Sequence, residues 1–411
     1  MTDVKKIALI PFIAFGIISC NHDPDTNLQV SEKGDNNVLE VIDLVKNFEK
    51  AAQTKSGNNY TDNEEIVVNS WKKTTYTFPV AANPVIKTLS SDAPDSTNVD
   101  LYFVTFNKGN HEGYSIACSD DRINRIYAYT EAGHISDTTN NMALARIIEL
   151  IPNIVKQDLQ KYYSSESLTK AASTYINYGP YLRTLWYQGP PFNNLLPLCN
   201  KGKEWLKGHV PAGCVAIATA QVIAYYQKFK GSYYGNANID FNNLTWPGII
   251  DDDDIFETRK MQAARFVKEV GTFCQIRYNC EDDKVSGSSQ IASAALYLTD
   301  QGYSCRVVKD ANIDLYQLYL NLSKKNVHLT GGNQKLKHSP GHAWVWDGIR
   351  GNLSGTTLTN VLLHCNWGNG TLEGRYDQDW SNGWFASYEQ PVPSEPPFLD
   401  NNQQCYITNY K

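Results

Sequence analysis

Several things are scarce in this sequence, and each scarcity removes a class of function. Charged residues make up 19% of its 411 positions, where about 25% is ordinary. The 37 Lys and Arg stand against 43 Asp and Glu, for a net charge of -6, which excludes a nucleic-acid binder that relies on bulk positive charge. Nine cysteines are present, yet they form no CxxC pair and no zinc-type Cys/His spacing, so neither a metal nor any other cofactor is expected. Outside the first twenty residues no segment looks transmembrane, and no internal repeat is found. What the chain does have is nine Trp and 25 Tyr, large rigid surface suited to a cleft that grips extended ligands.

The N-terminus begins with Lys5 and Lys6 and continues with an apolar run over 7–18. That run is too short for the about 20 residues that cross a bilayer, and has the shape of a secretory signal. Gly16-Ile-Ile-Ser-Cys20, at the end of the expected signal segment 1–20, resembles a bacterial lipobox, which implies that Cys20 is lipidated and becomes the new N-terminus, and that the chain is exported and touches a membrane through the lipid anchor alone. Residues 21–36 are polar and read as a flexible tether.

Helical spacing of apolar residues over 38–52, followed by short alternating runs at 101–107, 113–117 and 123–129, predicts a small α+β unit. Helical periodicity returns over 142–163, with Pro152 expected to interrupt it. The polar stretch 164–173 is the best boundary, because eight of the nine Trp lie at or after Trp186. The division expected is therefore 37–170 and 171–411. In the second half, helices are expected over 213–226 and 289–300, an acidic surface turn over 251–254, and β-runs at 326–330, 343–349 and 361–365.

Four places in the second half can carry chemistry. Cys214 follows a Pro-x-Gly turn and opens a helix rich in small residues, where free N–H groups and the helix dipole favour a thiolate. His342 opens a hydrophobic strand, and is better placed as a proton partner than His209, which lies too close in sequence to face the thiol across a cleft. Asn366 and Trp367 end another strand and can orient and shield an imidazole. Gln188 can aim an amide at a developing oxyanion beside the Cys214 N–H. Each alone has an ordinary alternative: packed small thiol, surface histidine, turn asparagine, solvated glutamine.

Together, and in this order, the segments 187–193 (YQGPPFN), 213–222 (GCVAIATAQV), 244–246 (LTW), 286–289 (SGSS), 341–348 (GHAWVWDG) and 364–368 (HCNWG) resemble the streptopain (C10) family of papain-like cysteine proteases. Upstream, 113–122 (GYSIACSDDR) and 126–133 (IYAYTEAG) resemble that family's inhibitory propeptide. The resemblance implies an α+β chain with a papain-like two-lobe peptidase fold after a small inhibitory prodomain, acting on proteins and peptides and inhibited by its own prodomain. It implies Cys214 as nucleophile, His342 as general base and acid, Gln188 in the oxyanion hole, and Asn366 and Trp367 around the imidazole. It also implies substrate contacts from Gly341, Ala343, Ser286 and Gly287, and activation by cleavage near Lys170 and Ala171. Departures are Asn369, where the family often has a second Trp, and a polar insertion over 350–359.

Two other classes use the same features. A peptidoglycan endopeptidase or a transglutaminase-like enzyme shares the Cys-His dyad, but the segments around Gln188 and Asn366 speak against it. A non-catalytic adhesive lipoprotein would use the aromatic surface and leave Cys214 inert, though every catalytic position is filled.

Overall fold

The computed structural model describes residues 36–53, 65–79, 96–135, 142–163, 173–202, 204–230, 254–281, 284–309, 314–332, 341–368, 382–387 and 403–410. Cys20, Lys170, Ala171, the 244–246 segment and Asn369 lie outside them, as does most of the polar stretch 164–173.

The chain opens with helix α1 (Asn36–Gln53) and continues through strands β1 (Val67–Pro79), β2 (Ser96–Lys108), β3 (His111–Cys118) and β4 (Arg125–Thr130) to helix α2 (Met142–Tyr163). β1 escaped sequence reading because its residues, WKKTTYT at the centre, are polar and mostly exposed. α2 runs unbroken through Pro152. Leu144, Ile147, Ile151, Ile154, Val155 and Leu159 form one buried stripe along it, and docking of that stripe holds the helix through the missing hydrogen bond that a proline imposes.

The second half contains β5 (Thr174–Tyr178), α3 (Cys214–Tyr226), α4 (Asp254–Phe273), β6 (Arg277–Asn279), β7 (Ser286–Ser288), α5 (Ile291–Asp300), β8 (Tyr303–Lys309), α6 (Leu315–Ser323), β9 (His328–Gly332), β10 (His342–Ser354), β11 (Thr357–Asn366), β12 (Gly383–Ala386) and β13 (Gln403–Tyr410). Asp254, expected in a surface turn, is the first residue of α4. The polar insertion 350–359 is a hairpin: Asn352 pairs with Thr359 and Ser354 with Thr357. β5 adds to it, pairing Thr174–Tyr178 against Leu353–Ile349.

One 11-stranded sheet runs in the order β1-β2-β3-β4-β12-β11-β10-β9-β13-β8, with β5 paired to β10. The pairings are antiparallel throughout, so the architecture is α+β. The strands of the two halves meet where β4 pairs with β12, Thr130 opposite Gly383, and Asn36–Lys411 is one compact unit.

β10 shows why the core lies on both faces of this sheet. Its residues alternate in the pleat: Ala343 and Val345 join α3, α4 and α5 in one core, while Trp344 and Trp346 join α2 and α6 in another. Both faces are covered, hence the near-continuous apolar run. α3 is buried on every side, Val215 through Ala224 without a break and Thr219 and Gln221 its polar members, as expected of a helix packed all round.

Candidate active site

The site begins at the turn before α3. Gly213 has φ of +90°, a conformation that residues with a Cβ rarely adopt, and an added Cβ there would lie 3.0 Å from the Gly287 carbonyl oxygen. The approach is mutual, since a Cβ on Gly287 would lie 2.7 Å from the Pro211 carbonyl oxygen. The β7 loop is thereby pressed against the residues that launch Cys214, and Gly287 is fixed beside the nucleophile through backbone contact. Its neighbour Ser286 is exposed.

Gln188 reaches the same turn. Its Oε1 accepts the Gly213 N–H at 3.1 Å, and its own carbonyl accepts the Ala212 N–H at 2.9 Å. These two bonds fix the amide one residue before Cys214.

Burial pushes the Cys214 thiol up, and hydrogen bonds from the backbone N–H groups of Ala343, Val215 and Cys214 itself pull it back. The Ala343 contact brings β10 onto the N-terminus of α3. It also means that the Ala343 N–H faces the sulfur, whereas Gly341, at the exposed edge before β10, stays on the open side.

His342 is thus placed by the strand it opens. Its Nε2 lies 2.9 Å from the Trp367 carbonyl oxygen. A carbonyl can only accept, so Nε2 carries the proton and a neutral ring keeps its lone pair on Nδ1. Burial pushes the imidazole down to about 4, and the Trp367 carbonyl partly offsets this. Trp344 stacks near-parallel to the ring, 13° between planes at 6.2 Å, and Trp367 flanks it at 6.4 Å. Burial therefore drives both partners toward their neutral forms, thiol and imidazole.

Asn366 stands apart from the imidazole, contrary to expectation. It is fully buried, accepts from Gln221 Nε2 at 3.0 Å and donates to the Thr184 carbonyl at 2.8 Å. Because side chains alternate along β11, Asn366 faces α3 while the next carbonyl faces His342. Trp367 takes the orienting role through its backbone and the shielding role through its ring. Its own N–H donates to Asn382 Oδ1 at 2.8 Å.

Sequence reading missed Thr184, Gln221, Trp344 and Asn382. The seven-residue step from Cys214 to Gln221, two helical turns, was the available signal for Gln221. His209 is engaged elsewhere, its Nδ1 2.9 Å from the Leu196 carbonyl. Cys199 and Cys280 form a disulfide, while Cys118, Cys274, Cys305, Cys365 and Cys405 are free thiols along with Cys214. Among the described residues no cluster of His, Cys, Asp and Glu is arranged to hold a metal.

The site thus holds a thiol at a helix N-terminus beside an antiparallel strand that opens with a histidine, whose Nε2 is tied down by a backbone carbonyl. The comparisons with known proteins point to the same region. Residues 186–378, a little under half of the chain, match the sequence model of the Peptidase C10 family. The thiol protease/hemagglutinin PrtT of Porphyromonas gingivalis is 26% identical over 148 residues, 32% of this chain, and the chain spans 16% of that relative's length. Prointerpain A of Prevotella intermedia is 19% identical at a TM-score of 0.49, covering 75% of this chain and 96% of that one. The active interpain A cysteine protease is 20% identical at a TM-score of 0.40, covering 57% and 96%.

Proposed function

We propose that the protein is a cysteine endopeptidase made as a zymogen, exported and tethered through a lipid on Cys20, and that it hydrolyses peptide bonds in proteins. The observation that carries the catalytic part is that Ala343, the neighbour of His342 on β10, belongs to the core against which Cys214 packs, which supports setting the strand opened by His342 against the nucleophile. Cys214 gives its proton to His342 Nδ1 and its sulfur attacks the peptide carbonyl. The Gln188 amide and the Cys214 N–H stabilise the oxyanion, and the imidazolium returns the proton to the leaving amine. Water, deprotonated by the neutral imidazole, then cleaves the thioester and regenerates the thiol. Gly341, Ser286 and Gly287 line the substrate side.

The inhibitory role of the first half is supported by its position. β4 runs antiparallel to β12, so Thr130 ends beside Gly383, next to the Asn382 that supports Trp367. From there the chain continues through Ile135, which packs into the core containing Trp344 and Trp367. Cleavage near Lys170 and Ala171 would free this half from its covalent link, and water admitted to the cleft would relieve the burial that keeps the thiol and imidazole neutral.

Labelling with an epoxysuccinyl thiol-protease inhibitor and mass mapping of the adduct tests the dyad. A single adduct on Cys214, absent in Cys214→Ala and much slowed in His342→Ala, is expected. A folded chain that takes no label would leave an inert thiol and end the peptidase reading. The zymogen half fails if the intact chain cleaves casein as fast as the same chain cut at 170–171.

A further inference from the structure

Three buried polar side chains close a ring beneath the site. Thr184 Oγ1 donates to Gln221 Oε1 at 2.8 Å, Gln221 Nε2 donates to Asn366 Oδ1 at 3.0 Å, and Asn366 Nδ2 donates to the Thr184 carbonyl at 2.8 Å. Gln221 is 0% exposed, Thr184 2% and Asn366 2%. The ring runs in one direction, and its amides are fixed by it: turning Asn366 would set donor against donor and acceptor against acceptor, and turning Gln221 would set its oxygen against the oxygen of Asn366. In an apolar core a defect of that kind is costly, which makes the ring rigid.

Each corner belongs to a segment that ends at a different part of the site. Gln221 lies two turns along α3 from Cys214, on the same helical face. Asn366 is bonded to Trp367, whose carbonyl holds His342. Thr184 leads, four residues on, to Gln188 and its bond to Gly213. Past Trp367 the chain lies directly on α3: Gly368 has φ of +63°, and a Cβ there would sit 2.9 Å from Ile217 Cγ2 and 3.5 Å from Gln221 Nε2.

We propose that Gln221 is a positioning residue for this peptidase site, the link that fixes the distance between the Cys214 helix and the Trp367 carbonyl, and so holds His342 in register with the thiol. The inference rests on the Cys214–His342 reading above. Gln221 touches neither reacting group; it acts through Asn366 and Trp367.

The test is the pH profile of Cys214 alkylation by iodoacetamide in the full chain, mapped by mass spectrometry, with circular dichroism and thermal melting as the check on folding. Wild type and His342→Ala come first. Equal rates across pH in those two would sink the thiol-imidazole reading itself, and Gln221 would have nothing to position. With the expected difference established, Gln221→Leu keeps most of the volume and removes both hydrogen bonds; a misplaced partner of this kind costs about 10- to 100-fold, so alkylation at neutral pH is expected to slow at least about tenfold. Gln221→Glu separates positioning from mere packing. Its protonated carboxyl both accepts from Thr184 and donates to Asn366, while its carboxylate cannot donate, so its rate relative to wild type should climb as pH falls. A folded Gln221→Leu with the wild-type profile, or a Gln221→Glu ratio that stays flat with pH, overturns the inference.

Discussion

His342 donates its Nε2–H to the backbone carbonyl of Trp367, 2.9 Å away, and the acceptor that fixes its tautomer is therefore one that no side-chain substitution removes. The consequences fall on the residues that hold that carbonyl.

Asn366 is the first. Truncation to Ala leaves Gln221 Nε2 and the Thr184 carbonyl without their partner, and an unsatisfied buried polar group costs about 1–3 kcal/mol. Asn366→Ala is expected to lower stability by that amount in urea denaturation, while His342 keeps its Nε2–H, visible in the imidazole 15N shifts. Loss of the Nε2 proton signal would show that Asn366, rather than the carbonyl, governs the tautomer.

Folding stability should carry the signature of His342. Its folded value of about 4 lies below the ordinary 6.5, so between these values the unfolded chain binds a proton that the folded chain refuses. Stability is then lost as pH falls from about 6.5 toward 4, by at most about 3 kcal/mol. The urea midpoint of a Cys214→Ala chain, which cannot process itself, should fall over that window, and His342→Gln should flatten the drop. The raised Cys214 acts at the other end: its stabilising contribution is complete below the ordinary thiol value and is lost as pH rises above it.

The contact between Gly287 and Pro211–Gly213 leaves no room for a methyl group. Gly287→Ala must push the turn that launches Cys214, and a shift of that size is expected to cost about 10- to 100-fold in kcat/KM with the melting temperature little changed. Full activity in this variant would mean that the loop yields instead of the turn.

The Cys199–Cys280 bond spans a sequence separation of 81, long enough for cross-linking to remove substantial freedom from the unfolded chain. A paired Cys199→Ser and Cys280→Ser chain is expected to be less stable by about 2–5 kcal/mol, and reductant should destabilise wild type but not the double variant.

Much of this was legible in the chain. Local periodicity marked α2, α3 and the central strands, because their buried stripes repeat at the helical or strand period. β1 was invisible since most of its central side chains are exposed and its buried residue Phe78 comes only near its end, so no alternating apolar pattern marks it. Pro152 misled because the cost of a proline is local, whereas the packing that overrides it comes from residues distant in sequence. The places of Cys214 at a helix start and of His342 at a strand start could be read from their immediate neighbours. The role of Asn366 was not, since a backbone carbonyl carries no letter, and the side chain that seemed to offer an acceptor turns to the opposite face of β11.

The sequence by itself determined the chemical inventory: a thiol at a helix N-terminus, an imidazole at a strand start, a glutamine and an Asn-Trp pair in an order similar to one peptidase family. Only the tertiary structure decided which atom of the Asn-Trp pair meets the imidazole, which cysteines are joined, and that Gln221 ties the pieces together. Those outcomes depend on contacts between segments up to 182 positions apart, as from Thr184 to Asn366, and such contacts are set by how whole faces pack, not by any local pattern.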